Sequence, residues 1–183
     1  MTSVDLDAAE LPATRDFARL SHFEKFGVPE AFAVDLDAVE TAFLKLSRRF
    51  HPDRQAGASP RERVKSVALT AALNEARSVL KDPVARAEYM LARRGGKTSS
   101  EDKRTPDGFL IEMLEQRERL EDGSAEAAEG VIADIAPRRD EAMAIIAREL
   151  GADEGDLDQV RLQLNTLKYY DNLLAESREL IDG

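Results

Sequence analysis

Apolar residues recur every three or four positions along most of this chain of 183 residues, so the pattern predicts helices throughout. Phe17, Leu20, Phe23 and Phe26 mark a first short helix, closed by Gly27 with Pro29 behind it. Leu36, Val39, Phe43, Leu46 and Phe50 line one side of a second helix, with Asp35 as its cap. Ser59-Pro60-Arg61-Glu62 reads as a helix start: a capping hydroxyl, proline at the first helical position and glutamate at the third. From there Leu69, Leu73, Ala76 and Leu80, helped by Val64 and Ala72, form a buried stripe that runs to Lys81. Asp82-Pro83 opens a fourth helix with Ala87, Met90 and Leu91 turned inward, and Gly95-Gly96 stops it.

The pattern then breaks. Residues 95–105 are rich in glycine, serine and charge, and are expected to be a linker. Three further helices follow, from Pro106 to about Glu121, from the end of the tight turn Asp122-Gly123-Ser124 to Leu150, and from Asp156 to Ile181. Pro137 stands inside the middle one and should kink or split it. Short turns between three helices imply an up-down-up bundle. The expected fold class is all-α. A loose tail covers 1–16, a first helical domain 17–94, the linker 95–105 and a three-helix bundle 106–183.

Composition agrees: 43% of residues are hydrophobic, 34% charged and only 5% aromatic. The net charge of −10 disfavours nucleic acid and anionic membrane as partners. That charge is uneven. Residues 1–105 hold 18 basic against 16 acidic side chains, whereas 106–183 hold 8 against 20, which suggests two units with different partners. Without cysteine there is no disulfide, thiolate metal site or cysteine nucleophile. His22 and His51 lie far apart in sequence, and no spacing suggests metal ligands. No cofactor is expected, and no nucleophile–base pair points to an enzyme. Residues 1–16 are too acidic for a transit peptide and no run approaches a membrane span, so a cytoplasmic location is expected.

Two surfaces stand out. On the second helix Lys45, Arg48 and Arg49 fall roughly 140° from the apolar stripe. The helix should end at Phe50, because Pro52 pushes His51 out of the α region, leaving His51-Pro52-Asp53 and Arg54 at the tip of a basic arm. Read blandly, this is a polar turn beside a solvated face. Read functionally, it is a docking device. On the 106–121 helix, Phe109, Met113 and Leu120 cluster as a bundle face. Leu110, Ile111 and Leu114 lie outside it with Glu115 and Glu118, making a second face, mixed apolar and acidic. Such a face serves either a partner or the packing of the two domains on each other.

The tripeptide His51-Pro52-Asp53 between two helices, with Leu73-Asn74-Glu75-Ala76, Asp82-Pro83 and Arg86-Ala87-Glu88-Tyr89 downstream, resembles the J-domain of DnaJ-type co-chaperones. The second domain narrows this. Phe109 to Glu118 and Leu167 to Leu173, on a chain with no Gly/Phe segment and no zinc module, resemble the HscB family, co-chaperones of iron–sulfur cluster assembly. The resemblance implies that His51, Pro52 and Asp53, aided by Lys45, Arg48, Arg49 and Arg54, contact a DnaK-class (HscA-like) chaperone and stimulate its ATPase. It also implies that Leu110, Ile111, Leu114, Glu115 and Glu118 contact an IscU-like scaffold protein, with Tyr169 where the family has phenylalanine. The alternative is a J-protein serving a general DnaK and another client.

Overall fold

The structure, a computed structural model, describes residues 17–50, 59–121 and 123–182. The described residues form seven α-helices and one turn of 3-10 helix, with no strand among them. They divide into two compact units that meet in sequence between Arg86 and Ala87.

The first unit begins with the 3-10 turn Phe17–Arg19, followed by α1 (His22–Phe26), α2 (Leu36–Phe50) and α3 (Pro60–Lys81). The single helix expected over 17–26 is thus two pieces. Ser21 restarts the chain: its Oγ accepts from the Glu24 N–H at 3.1 Å, and the Glu24 carboxylate accepts from the Ser21 N–H at 2.7 Å. Gly27 then ends α1 at a φ of 66°, which glycine adopts without Cβ strain. The caps of the longer helices form as read. Asp35 Oδ1 accepts from Ala38 N–H at 3.0 Å, and Ser59 and Glu62 cap one another.

α2 and α3 pack antiparallel. Phe50, at the end of α2, meets Ser66 near the start of α3, and Glu40 meets Arg77 at the opposite ends. Val39, Leu46 and Phe50 are buried against Leu69, Leu73, Ala76 and Leu80. Burying each such side chain fully contributes roughly 1.5–3 kcal/mol. Two expected stripe members stand outside. Leu36 is 40% exposed, ahead of the first buried position at Val39. Val64 is 71% exposed, because it lies roughly 160° around α3 from the stripe centre.

α4 (Pro83–Arg93) crosses the boundary in sequence. Asp82 caps it with bonds from Val84 and Ala85 N–H. The second unit holds α5 (Phe109–Leu120), α6 (Ala125–Gly151) and α7 (Leu157–Asp182). α6 and α7 form a long hairpin. Its tight turn needs Gly155, where a Cβ would sit 1.8 Å from the Glu149 carbonyl oxygen. Val131, Ile135, Ile146 and Leu150 of α6 and Val160, Leu164, Leu167 and Leu174 of α7 make the core. α5 begins three residues later than expected, after Gly108 at a φ of 76°, and closes on this core through Phe109, Met113 and Leu120.

Pro137 does not split α6, which is continuous from Ala125 to Gly151. Proline removes one hydrogen bond to the carbonyl four residues back. Here Pro137 and Ala133 are both exposed, so water can take that carbonyl. The stretch 95–105 is tied down within the second unit. Gly96 N–H returns to the Leu91 carbonyl at 2.9 Å, and Asn165 of α7 donates to the carbonyls of Asp102 at 3.1 Å and Arg104 at 2.9 Å.

Candidate functional site

The second unit carries a groove of about 230 Å³ between α5 and α7. It is lined by Leu110, Met113, Leu114 and Arg117 of α5 and by Tyr169, Asn172 and Leu173 of α7. The local cause is a division of labour along α5. Phe109 and Met113 are turned into the bundle at 5% exposure, which turns Leu110, Ile111 and Leu114 outward at 52, 66 and 57%. Phe109 also sits edge-on to both Tyr169 and Tyr170, with ring centroids 5.5 Å away in each case. That contact holds the 39%-exposed Tyr169 ring against the groove. Tyr170 points inward, and burial pushes its phenol above the usual range.

The structure brings Leu110, Leu114 and Tyr169 together in one concave surface. Ile111, Glu115 and Glu118 are exposed on the same helix but do not line the groove. Arg117 and Asn172 line it and were not singled out from sequence. Their signal was spacing, since each stands three residues after a groove residue, Leu114 and Tyr169. Arg117 is paired with Glu176 of α7 at 3.1 Å, and Glu112 of α5 is paired with Arg138 of α6, so ion pairs brace α5 against both neighbours. Exposed pairs of this kind add about 0–1 kcal/mol each but fix the helix register. Three large apolar side chains left in water on one helix face are what a partner would cover, each contributing up to about 1.5–3 kcal/mol when buried.

In the first unit α2 presents Lys45, Arg48 and Arg49, all exposed. Leu44, 54% exposed, adds an apolar spot beside them. α3 stiffens this arm from behind. Arg77 Nε donates to both carboxylate oxygens of Glu40 at 2.9 and 3.1 Å, Lys81 Nζ adds a contact at 3.0 Å, and the Arg77 guanidinium lies 4.6 Å from the centre of the Phe43 ring. The hydrogen bonds from Arg77 and Lys81 hold the Glu40 carboxyl below its usual range. His51, Pro52, Asp53 and Arg54 lie outside the described residues. Among the described residues no group of His, Cys, Asp or Glu could hold a metal ion, and no helix is long and apolar enough to cross a membrane.

Residues 105–178 match the family model described as the HSCB C-terminal oligomerisation domain. The chain is 36% identical over 170 residues to the co-chaperone protein HscB homolog of Aliivibrio salmonicida, a match that covers 89% of this chain and 98% of the relative. The homolog of Vibrio parahaemolyticus is 45% identical over a shorter stretch of 104 residues, 56% of this chain and 61% of that protein's length. Among solved structures, the chain is similar to the chaperone HscB of Vibrio cholerae, with a TM-score of 0.76 and 32% identity over 89% of this chain and 98% of the other. The human co-chaperone HscB shares the fold, with a TM-score of 0.77 at 21% identity over 87% and 81% of the two chains.

Proposed function

We infer the function from one premise: the chain belongs to the HscB family of co-chaperones, all-α proteins with a J-domain and a helical C-terminal domain. We propose that it is an adaptor with two working ends. The α5–α7 groove holds an IscU-like iron–sulfur scaffold protein through Leu110, Leu114 and Tyr169, with Ile111, Glu115 and Glu118 at the rim. The basic face of α2, with His51-Pro52-Asp53 and Arg54 at its end, engages a DnaK-class, HscA-like chaperone in the cytoplasm and stimulates its ATPase. No bond is made or broken on this chain itself.

The observation that carries this reading is the exposure of Leu110, Ile111 and Leu114 beside a half-exposed tyrosine on a folded bundle. Apolar residues gathered on one face and rimmed by charge favour a protein partner. Lys45, Arg48 and Arg49 suit the other end. Surface charge speeds encounter with an acidic partner and fixes register more than it adds affinity. A carboxylate such as Asp53 can accept charge-assisted hydrogen bonds from a partner's arginine.

The test is the ATPase rate of an HscA-like chaperone with this protein, with an IscU-like scaffold, and with both. The expected outcome is stimulation by this protein and synergy when the scaffold is added. Stimulation without synergy and without scaffold binding would favour a general DnaK and a different client. No stimulation would overturn the reading.

A further inference from the structure

The groove between α5 and α7 encloses about 230 Å³. Sites for free small molecules are larger, roughly 300–1,000 Å³, so this one suits one or two side chains of a protein partner. Its buried members, Met113 and Leu173, are apolar. Arg117 is the one charged residue of the lining, and Glu176 already matches it. The Arg117 Nε and Nη2 donate to the same carboxylate oxygen of Glu176 at 3.3 and 3.1 Å. A charge brought in by the partner would lose water and find no free counter-ion, so an uncharged, apolar group is favoured.

Asn172 interrupts this apolar lining. It lies three residues after Tyr169 and one turn before Glu176, on the α7 side of the groove. Among the described residues its carboxamide has no hydrogen-bond partner. The residue is exposed, so water serves that group while the groove is open. With one methylene between amide and Cα, the group stays close to the helix. A partner that covers Tyr169 and Leu173 beside it displaces the water. A desolvated donor or acceptor left unpaired costs more than a hydrogen bond gains, so the partner has to supply both counterparts.

A carboxamide holds a donor, Nδ2–H, and an acceptor, Oδ1, side by side. One residue of an extended segment, whose main-chain N–H and C=O face the same side, offers the matching pair. We propose that Asn172 is a specificity-determining residue of the groove: it pairs with the main-chain N–H and C=O of one residue in an extended scaffold segment that lays an apolar side chain against Leu110, Leu114 and Tyr169. This rests on the scaffold-binding function proposed above. It selects for a segment with open main-chain groups on a loop or sheet edge, and against a helix, whose groups are bonded internally.

The experiment titrates an IscU-like scaffold protein into the full chain and into its Asn172→Ala and Asn172→Asp variants by calorimetry. Hydrogen exchange of the ¹⁵N-labelled scaffold is followed at saturation with each. The position is exposed, so both variants are expected to melt with the unaltered chain. Asn172→Ala is expected to weaken binding about fivefold, the equivalent of one ordinary hydrogen bond. Asn172→Asp keeps the shape, loses the donor and adds a charge against a carbonyl, so its loss is expected to be larger. One scaffold backbone N–H gains protection with the unaltered chain and loses it with Asn172→Ala. Three results would each overturn the proposal: unchanged affinity of Asn172→Ala, affinity of Asn172→Asp equal to or above that of the unaltered chain (the mark of a partner cation at this place), or no backbone N–H that loses protection. The Leu110→Ala, Leu114→Ala double variant separates the two readings. If it weakens binding and the Asn172 variants do not, this inference alone falls. If the unaltered chain does not bind the scaffold, the proposed function falls and this role with it.

Discussion

The Arg161 guanidinium, on α7 at 1% exposure, donates two hydrogen bonds of 2.7 Å to the carboxylate of Glu88 on α4. Its Nε donates to Asn165 Oδ1 at 3.0 Å, and the same Asn165 side chain holds the carbonyls of Asp102 and Arg104. One buried cation thus ties the last part of α4 and the 102–104 stretch to α7 within the second unit. An arginine in this position is stable only while its fork is matched.

Removing the carboxylate should therefore hurt more than removing both charges. Glu88→Ala leaves a buried guanidinium with Asn165 as its remaining partner, and is expected to destabilise the protein by about 2 kcal/mol. Glu88→Ala combined with Arg161→Met is expected to recover part of that loss, since a well-packed apolar pair can match a buried ion pair. Denaturant unfolding of the single and double variants measures this. A double variant less stable than the single would contradict it.

Leu110→Ala with Leu114→Ala is expected to weaken scaffold binding by roughly 2–4 kcal/mol if both side chains anchor the partner. Both are more than half exposed, so the melting temperature should stay close to that of the unaltered chain. Calorimetric titration with an IscU-like protein reads the first effect and thermal unfolding the second. Unchanged affinity would remove these residues from the interface.

Asp53→Asn keeps the size of the side chain and removes its charge. It is expected to abolish stimulation of the chaperone ATPase while leaving circular dichroism and scaffold binding as they were, because the groove residues all lie on α5 and α7. Stimulation that survives this change would exclude the tripeptide as the trigger.

The pH dependence of stability has a defined sign. Hydrogen bonds from Arg104 hold the Asp102 carboxyl well below the usual range, and Glu40, Glu62, Glu101 and Glu149 are lowered too, each by its own hydrogen bonds. A lowered folded-state value means that the unfolded chain takes up protons first on acidification. The stabilisation is complete above the ordinary carboxylate values of about 4 and is lost as pH falls through the lower folded-state values. Asp102→Asn should flatten the decline of stability below about pH 4. Parallel curves for variant and unaltered chain would show that Asp102 does not contribute.

Much of the helical framework was legible because its signals are local. Ser59 and Glu62 cap α3 within four residues, Asp82 caps α4 within three, and Gly27 closes α1 by its own φ. The outward turn of Leu110, Ile111 and Leu114 follows from the helical repeat once Phe109 and Met113 are placed inside. The misplacements have equally local reasons. Val64 is apolar and close in sequence to the stripe, yet the helical repeat carries it to the far side of α3, where it is exposed. Pro137 reads as a break, but an exposed proline whose lost hydrogen bond can be taken by water leaves a long packed helix continuous.

The helices, most of their ends, and which face of each is apolar follow from the order of residues alone, because capping and periodicity act over a few residues of contiguous chain. What those faces meet is set by the packed fold. It joined Leu110 and Leu114 to Tyr169 and Asn172 across more than fifty residues to make a groove. It placed Arg161 on Glu88 and drew the 95–105 stretch onto the second unit. It also set the hydroxyl of Ser66 on the carbonyl of Phe50. Those pairings depend on how helices pack, and packing is fixed by the fit of many side chains at once, which no stretch of the chain carries alone.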